Sequence, residues 1–311
     1  MKINILLPVY NDWESLNFLL TDIQKKLNFF DIDVIIVDDC STIDPFINRK
    51  LAGLNIKILK LNKNVGSQKA INIGLNYLKN NFKHKDYCIV MDSDGEDKAE
   101  DIIDLIDLAE KNKDKIIFAS RGKRQDGLIF YILYRFYLFF FLLLTGKNIN
   151  CGNFSCIPQI KIKELLELNY SGIHHSASIL KSDLGYKKFT CHRGKRYKGR
   201  SQMSLSNLIL HGLNSMAIFY ELIKKRFYIS VVSAIFFLSL MICLTVLLKN
   251  LTVNNAVTLI INSHFFLIVN YFFLIFIVFL IYLKYMKNKI NRINFKNITV
   301  EEIKVFLNLK K

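Results

Sequence analysis

Three prolines and 13 glycines in 311 residues leave no room for a collagen-like or Pro/Gly-rich low-complexity architecture. Cysteine is sparse too. Cys40, Cys88, Cys151, Cys156, Cys191 and Cys243 form no Cys-x-x-Cys pair and no repeated spacing, which excludes a disulfide scaffold and points to free thiols in a reducing compartment. The chain has no Gly-x-x-x-x-Gly-Lys-Ser/Thr loop and no Gly-x-Gly-x-x-Gly, so neither a P-loop nor a dinucleotide fingerprint is available. A His-Glu-x-x-His pair is missing, and His174-His175 and Cys191-His192 lack zinc-site spacing. No leader peptide is expected, because the apolar run Ile3–Val9 is short and ends at Tyr10-Asn11-Asp12. Disorder is excluded by what is present: 51% hydrophobic residues, 13% aromatic, and a mean hydropathy of +0.23.

Charge is abundant but unevenly placed. Residues 1–120 carry 16 basic and 19 acidic side chains, a net of −3; residues 121–311 carry 27 and 7, a net of +20. A near-neutral front half joined to a basic, apolar back half suggests a domain docked on an anionic surface, either nucleic acid or a cytoplasmic membrane leaflet. The hydropathy favours the membrane. Phe227–Leu248 runs 22 residues without Lys, Arg, Asp or Glu, and Ala256–Leu283 adds 28 interrupted only by Asn262, His264 and Asn270. About 20 apolar residues cross the hydrocarbon core, so a hairpin of two spans is expected, 227–248 and about 262–283. Lys224, Lys225 and Arg226 precede the pair, and Lys284, Lys287, Lys289 and Arg292 follow it. The positive-inside rule then puts residues 1–226 in the cytoplasm, anchored to the inner membrane, with 284–311 as a basic cytoplasmic tail. Leu128–Leu144 is short for a span and contains Arg135, which suits an interfacial or buried helix. Residues 203–226 read as an amphipathic juxtamembrane helix.

The front half alternates strand and helix signals. Ile3–Val9, Val34–Val37, Ile56–Leu61, Tyr87–Met91 and Ile116–Ala119 are short apolar runs. Between them Leu16, Leu19, Leu20, Ile23 and Leu27, and later Ile102, Leu105, Ile106 and Ala109, recur at helical spacing. This predicts an α/β domain over residues 1–202 with a mostly parallel, doubly wound, Rossmann-like sheet, whose ligands bind beyond the carboxyl ends of the strands. Two of those ends are acidic: Asp38-Asp39-Cys40-Ser41 and Asp92-Ser93-Asp94-Gly95-Glu96-Asp97. Crowded carboxylates repel, and a hard divalent cation, Mg²⁺ or Mn²⁺, removes that repulsion; phosphate-bearing substrates usually accompany such ions. Downstream, Leu184–Arg226 holds ten Lys or Arg against Glu221, and Arg193, Arg196 and Arg200 are spaced to set guanidinium forks around phosphate oxygens.

Leu7-Pro8-Val9-Tyr10-Asn11-Asp12, Val37-Asp38-Asp39-Cys40-Ser41-Thr42, Asn64-Val65-Gly66 and Met91-Asp92-Ser93-Asp94, in that order, resemble the signature of family 2 glycosyltransferases with the GT-A fold. Ala119-Ser120-Arg121-Gly122-Lys123-Arg124, Gly152-Asn153-Phe154 and residues 196–203 resemble the polyisoprenyl-phosphate branch, relatives of dolichol-phosphate mannose synthase. The resemblance implies a nucleotide pocket lined by Pro8, Tyr10, Asn11 and Asp39, with Asp38 near the base. It implies a metal held by Asp92 and Asp94, with Glu96 as a further ligand and Asp94 counted as catalytic. Arg121, Arg124 and Arg135 fall where relatives grip the acceptor phosphate. Lys98-Ala99 replaces a common Pro-Pro, and Asn153 stands where many relatives have an Asp sometimes assigned as base.

An alcohol acceptor needs a general base, and Asn cannot be one; a lipid monophosphate, largely dianionic at neutral pH, does not. The sequence thus reads as a metal-dependent, inverting transferase that moves sugar from a nucleotide-diphosphate sugar to a polyprenyl phosphate at the cytoplasmic face. A hydroxyl acceptor on a lipid-linked glycan is the alternative, with His174 or His175 as base. An inactive membrane-bound sugar-nucleotide binder is a further one. Nucleic acid is discounted because no recognition motif accompanies the basic run. Membrane lipids are expected partners, and homo-oligomerisation through the hairpin is left open.

Overall fold

Short β-branched runs without a polar stripe make strands covered on both faces. The computed structural model, which describes residues 1–48, 51, 53–81, 86–121, 128–168, 170–199, 204–248, 255–291 and 298–304, has four such strands in its front part. They are β1 (Lys2–Val9), β2 (Asp31–Asp38), β3 (Asn55–Leu61) and β4 (Tyr87–Val90). All pair in parallel, in the order β4-β1-β2-β3. Helices α1 (Trp13–Lys26) and α3 (Asp101–Glu110) cover one face with Trp13, Leu16, Leu20, Ile102 and Leu105; α2 (Ser67–Asn81) covers the other with Ile71, Leu75 and Leu78.

Four more strands, β5 (Ile116–Arg121), β6 (Cys151–Pro158), β7 (Tyr186–Cys191) and β8 (Val300–Lys304), complete an eight-stranded sheet of order β7-β5-β6-β4-β1-β2-β3-β8. The sheet is mixed. β6 opposes β4 and β5, and β8 opposes β3, while the other six strands share one direction. The chain leaves β5, passes through α4 (Leu128–Thr145) and re-enters the sheet at the same rim, so β6 must run back. That reversal brings the start of β6, where Asn153 lies, to the rim at which β1, β2 and β4 end.

Behind the α2 face lie α5 (Gln159–Glu167), α6 (His175–Lys181) and α7 (Leu205–Ile218), then two long helices, α8 (Tyr220–Leu248) and α9 (Asn255–Asn291). The juxtamembrane stretch breaks at Phe219, so residues 220–226 belong to α8. α8 and α9 meet through Phe227 stacked on Phe276, ring centroids 4.9 Å apart, and through Lys287 and Glu221 at 3.0 Å. Leu280, Leu283 and Met286 of α9 are buried in the same cluster as Met216, Ala217 and Ile223, which fastens the returning helix to the sheet domain. Among the described residues one helical stretch, Phe266–Asn288, is long and apolar enough to cross a membrane. The side chains 241–242 and 245–248, inside the other expected span, lie outside the described residues. On α4, Phe141 is fully buried while Leu133, Phe136, Phe139 and Phe140 are exposed.

Candidate active site

The β1 and β2 tips are sewn together by polar loop groups. The chain turns at Asn11 (φ 53°) and at Cys40 (φ 62°), left-handed positions that Asn tolerates better than most residues. Asn11 Oδ1 accepts the Thr42 N–H at 2.8 Å, and Ser41 Oγ accepts the Asn11 N–H at 3.0 Å. Fully buried Asp38 accepts the Ser41 N–H through Oδ1 at 2.9 Å, and its Oδ2 has no partner among the described residues, a state suited to a ligand N–H. Asp39 accepts the N–H groups of Val65 (2.7 Å) and Gly66 (2.8 Å); Gly66 reaches the carboxylate with φ +84°, which a side chain would strain. Burial pushes the Asp39 carboxyl up in pKa against these two bonds, which pull it down. Pro8 lies in β1 opposite Val37, and Tyr10 is exposed at the rim.

Beyond β4 the acidic loop folds on itself and meets a basic loop. The Asp92 N–H donates to Asp97 at 3.0 Å and the Glu96 N–H to Asp94 at 3.0 Å. Arg196 spans two loops: Nη1 donates to Asp94 at 2.8 Å and Nη2 bonds Asp12 of the β1 loop. Arg193 pairs with Glu96. Main-chain bonds from Gly194 to the Glu96 carbonyl (2.8 Å) and from Tyr197 to the Asp94 carbonyl (3.0 Å) lay residues 193–197 across the acidic loop. Gly95 (φ +87°) lies under Tyr197, whose ring fills the space a Cβ would need.

The register opposes Ser155 to Val90, and two residues further along Asn153 reaches Asp92. Asn153 Nδ2 donates to Asp92 Oδ1 at 2.9 Å, and Asn153 Oδ1 accepts from Gln68 Nε2 at 3.0 Å. Gln68 Oε1 in turn accepts the His175 N–H at 2.6 Å. Ser155 Oγ donates to the Asn153 carbonyl at 3.0 Å, which leaves it to accept from His175 Nε2 at 3.0 Å. That places a proton on Nε2, and burial, which holds the His175 pKa down to about 4, keeps the imidazole neutral. His174 caps α6, accepting the Ala177 N–H through Nδ1, and stacks on His211 at 4.2 Å. Burial, then His211, drives its pKa well below the usual range.

The structure therefore gathers Asn11, Asp38, Asp39, Asp92, Asp94, Glu96, Asn153, Arg193 and Arg196 at one rim. Arg196 links the two acidic tips through Asp12, and Asn11 continues the link to Ser41 and Asp38. Arg193 and Arg196, read from the sequence as acceptor-phosphate forks, lie on the carboxylates Glu96 and Asp94. Arg135 is exposed on α4; the Arg121 side chain, Arg124 and Arg200 lie outside the described residues. Asp12, Gln68 and Ser155 escape the sequence reading. Asp12 is the last residue of the quoted β1 stretch, but nothing local marks Gln68 or Ser155, whose partners are 85 and 20 residues away.

Among the described residues no three His, Cys, Asp or Glu side chains converge as a ready metal site. The carboxylates nevertheless fit a divalent cation in charge and donor type. They supply hard oxygens, and the place between Asp94 and Asp12 holds a positive group, the Arg196 guanidinium.

Residues 4–168, more than half of the chain, match the family model described as glycosyl transferase family 2. The chain belongs to glycosyl transferase family 2. This glycosyltransferase is 29% identical over 219 residues to the undecaprenyl-phosphate 4-deoxy-4-formamido-L-arabinose transferases of Yersinia enterocolitica and Yersinia pestis, over 67% of its own length. The matched stretch covers 64% of those relatives. It is similar in fold to glucosyl-3-phosphoglycerate synthase from Mycobacterium tuberculosis bound to Mn²⁺, UDP and glucosyl-3-phosphoglycerate (TM-score 0.47, 13% identity, 72% of this chain and 80% of that one). It is also similar to S. aureus TarS 1-349 in complex with UDP-GlcNAc (TM-score 0.37, 15% identity, 73% of each).

Proposed function

We propose that this glycosyltransferase moves a sugar from a nucleotide-diphosphate sugar to a polyprenyl phosphate at a membrane surface. The observation that carries the reading is the meeting of the β2 and β4 acidic tips around the β1 loop, tied by Arg196 to Asp12 and Asp94. Asp38 and Asp39 form a closed, buried end suited to nucleoside recognition, and Asp92 and Asp94 an end suited to the diphosphate. Asp92 and Asp94, with Glu96 beside them, would hold Mg²⁺ or Mn²⁺. When bound, the ion supplies positive charge to the leaving diphosphate. Asn11 and Asp39 fix the pocket walls, and Arg196 moves off Asp94 to neighbouring phosphate oxygens.

The acceptor oxygen attacks the anomeric carbon as the bond from that carbon to the diphosphate oxygen breaks, with inversion. A phosphate acceptor needs no base. Two placements favour it over a hydroxyl: Asn153 is committed as a donor to Asp92, and His174 as a buried cap of α6. The Yersinia relatives are named for undecaprenyl phosphate, which supports the same acceptor class.

The membrane anchor is proposed as a two-span hairpin. α8 leaves the sheet domain, α9 returns to it, and β8 then pairs with β3. Both ends of the helical pair thus lie beside one sheet, which supports an even number of crossings. Lys224, Lys225 and Arg226 on one flank and Lys284 and Lys287 on the other support a cytoplasmic sheet domain.

The test is incubation of membranes carrying the chain with a panel of radiolabelled sugar nucleotides, Mn²⁺ and undecaprenyl phosphate. Label in a mild-acid-labile lipid, dependent on the added phosphate, is the expected result. Label found only in an acid-stable glycolipid would move the assignment to a hydroxyl acceptor.

A further inference from the structure

A hydrogen-bonded amide has two faces of opposite polarity, and a chain of amides is oriented by whichever end cannot reverse. Here that end is the His175 main-chain N–H, an orphan donor in the first turn of α6. It obliges Gln68 to accept through Oε1 (2.6 Å) and hence to offer Nε2 to Asn153 (3.0 Å). Asn153 must then present its own Nδ2 to Asp92 Oδ1 (2.9 Å). Each amide flip is settled by the one before it. An Asp at position 153 would offer a second carboxylate, which accepts from Gln68 but has no N–H to donate to Asp92.

We propose that Gln68 and Asn153 are positioning residues: a one-way amide relay from the α6 N-terminus that holds the Asp92 carboxylate turned, with Oδ1 accepting from Asn153, toward the diphosphate end of the donor site. This deepens the donor-site reading above and rests on it. It also gives Asn153 a task that Asp could not perform while this relay is intact. Neither amide touches the reacting atoms.

Gln68→Glu keeps the shape but reverses the polarity. The introduced carboxylate still accepts from His175 and can no longer donate to Asn153 until it is protonated. The full-length chain in detergent should therefore melt roughly 2–4 °C below the wild type at pH 8. The gap should narrow as pH falls from 8 through 5, where a Glu carboxyl of pKa about 4.3 begins to take its proton. In an Asn153→Ala background Q68E should show no such acid recovery.

Mn²⁺ alone, titrated by its electron paramagnetic resonance signal, should bind about tenfold more weakly to N153A and to Q68E at pH 8, a usual cost of losing a partner behind a metal ligand. Q68A, N153A and the double variant carry the same comparison if Q68E does not accumulate: in a single relay the double variant loses no more than N153A. Equal melting of Q68E and wild type at every pH, acid recovery that survives N153A, or additive Ala losses would overturn the relay. A wild-type chain that takes up no Mn²⁺ would overturn the donor-site metal reading instead, while the melting cycle still decides the relay.

Discussion

Asp38 and Asp39 at the tip of β2 and Asp92, Asp94 and Glu96 beyond β4 present comparable density of negative charge, yet their partners differ in kind. Asp39 is held by two main-chain N–H groups and Asp38 by a third, donors that cannot leave without unfolding the loops. The β4 cluster also has main-chain donors, the Glu96 N–H on Asp94 and the Asp92 N–H on Asp97, but its charge is met by the ends of two long side chains, Arg196 and Arg193, which swing on rotatable bonds. One half of the rim is thus built into the fold, and the other is held by groups that another cation or a phosphate can displace. A nucleoside end calls for fixed shape; a diphosphate and metal end calls for charge that can be exchanged.

The contrast predicts opposite signatures for two Asp→Ala variants. Asp94→Ala should lower sugar transfer by about 10³-fold, the usual scale for losing an electrostatic partner of the transition state. The melting temperature of the ligand-free chain should move little, because the substitution also relieves crowding with Asp92, Glu96 and Asp97. Asp39→Ala should show its effect in stability instead, costing about 3 kcal/mol by stranding the Val65 and Gly66 donors. If a urea titration found D94A the less stable of the two, the division into a fixed and an exchangeable half would fail.

The parts of this design that show in the sequence are those with local periodicity. β1, β2, β3, β4 and β5 appear as apolar runs within a few residues of their observed ends, and α1 and α3 as helical stripes. β6 and β7 do not, because the Tyr186-Lys187-Lys188-Phe189 and Gly152-Asn153-Phe154-Ser155 stretches carry too few apolar residues to mark a strand; pairing with neighbours far along the chain makes them strands. The same holds in the site. Asp38, Asp39, Asp92 and Asp94 stand out as carboxylates at strand ends, whereas Gln68 gains meaning only when the reversal of β6 brings Asn153 to it. The spacing of Arg196 reads as a phosphate fork, whereas the structure puts it on Asp94 and Asp12, a position that depends on how residues 193–197 fold back over the acidic loop.

A pH titration sharpens the comparison from the far side of the sheet. His175 is buried neutral with its pKa near 4, against about 6.5 unfolded. The unfolded chain therefore binds the proton first as pH falls, so stability is fully present above about pH 6.5 and is lost as pH drops toward 4. The shift corresponds to about 3 kcal/mol, and His174, also held neutral by burial, adds in the same direction. His175→Gln should flatten the fall in urea midpoint between pH 6.5 and 4. An unchanged slope would show that the imidazole is not sealed as described.

The smallest effect expected is at the returning tail. Glu302 of β8 lies 3.5 Å from Lys57, with both side chains partly exposed, and burial together with Glu302 raises the Tyr77 hydroxyl pKa. Exposed pairs contribute about 0–1 kcal/mol, so Glu302→Gln should shift the melting temperature by no more than about 2 °C. Leu283→Ala, which opens a hole where α9 is buried against the sheet domain, should cost about 3 kcal/mol. The tail strand is therefore an edge addition, and the docking of α9 carries the attachment. If E302Q destabilised as much as L283A, β8 would be part of the core pairing, and the topology of the helical pair would rest on the strand rather than on the helix.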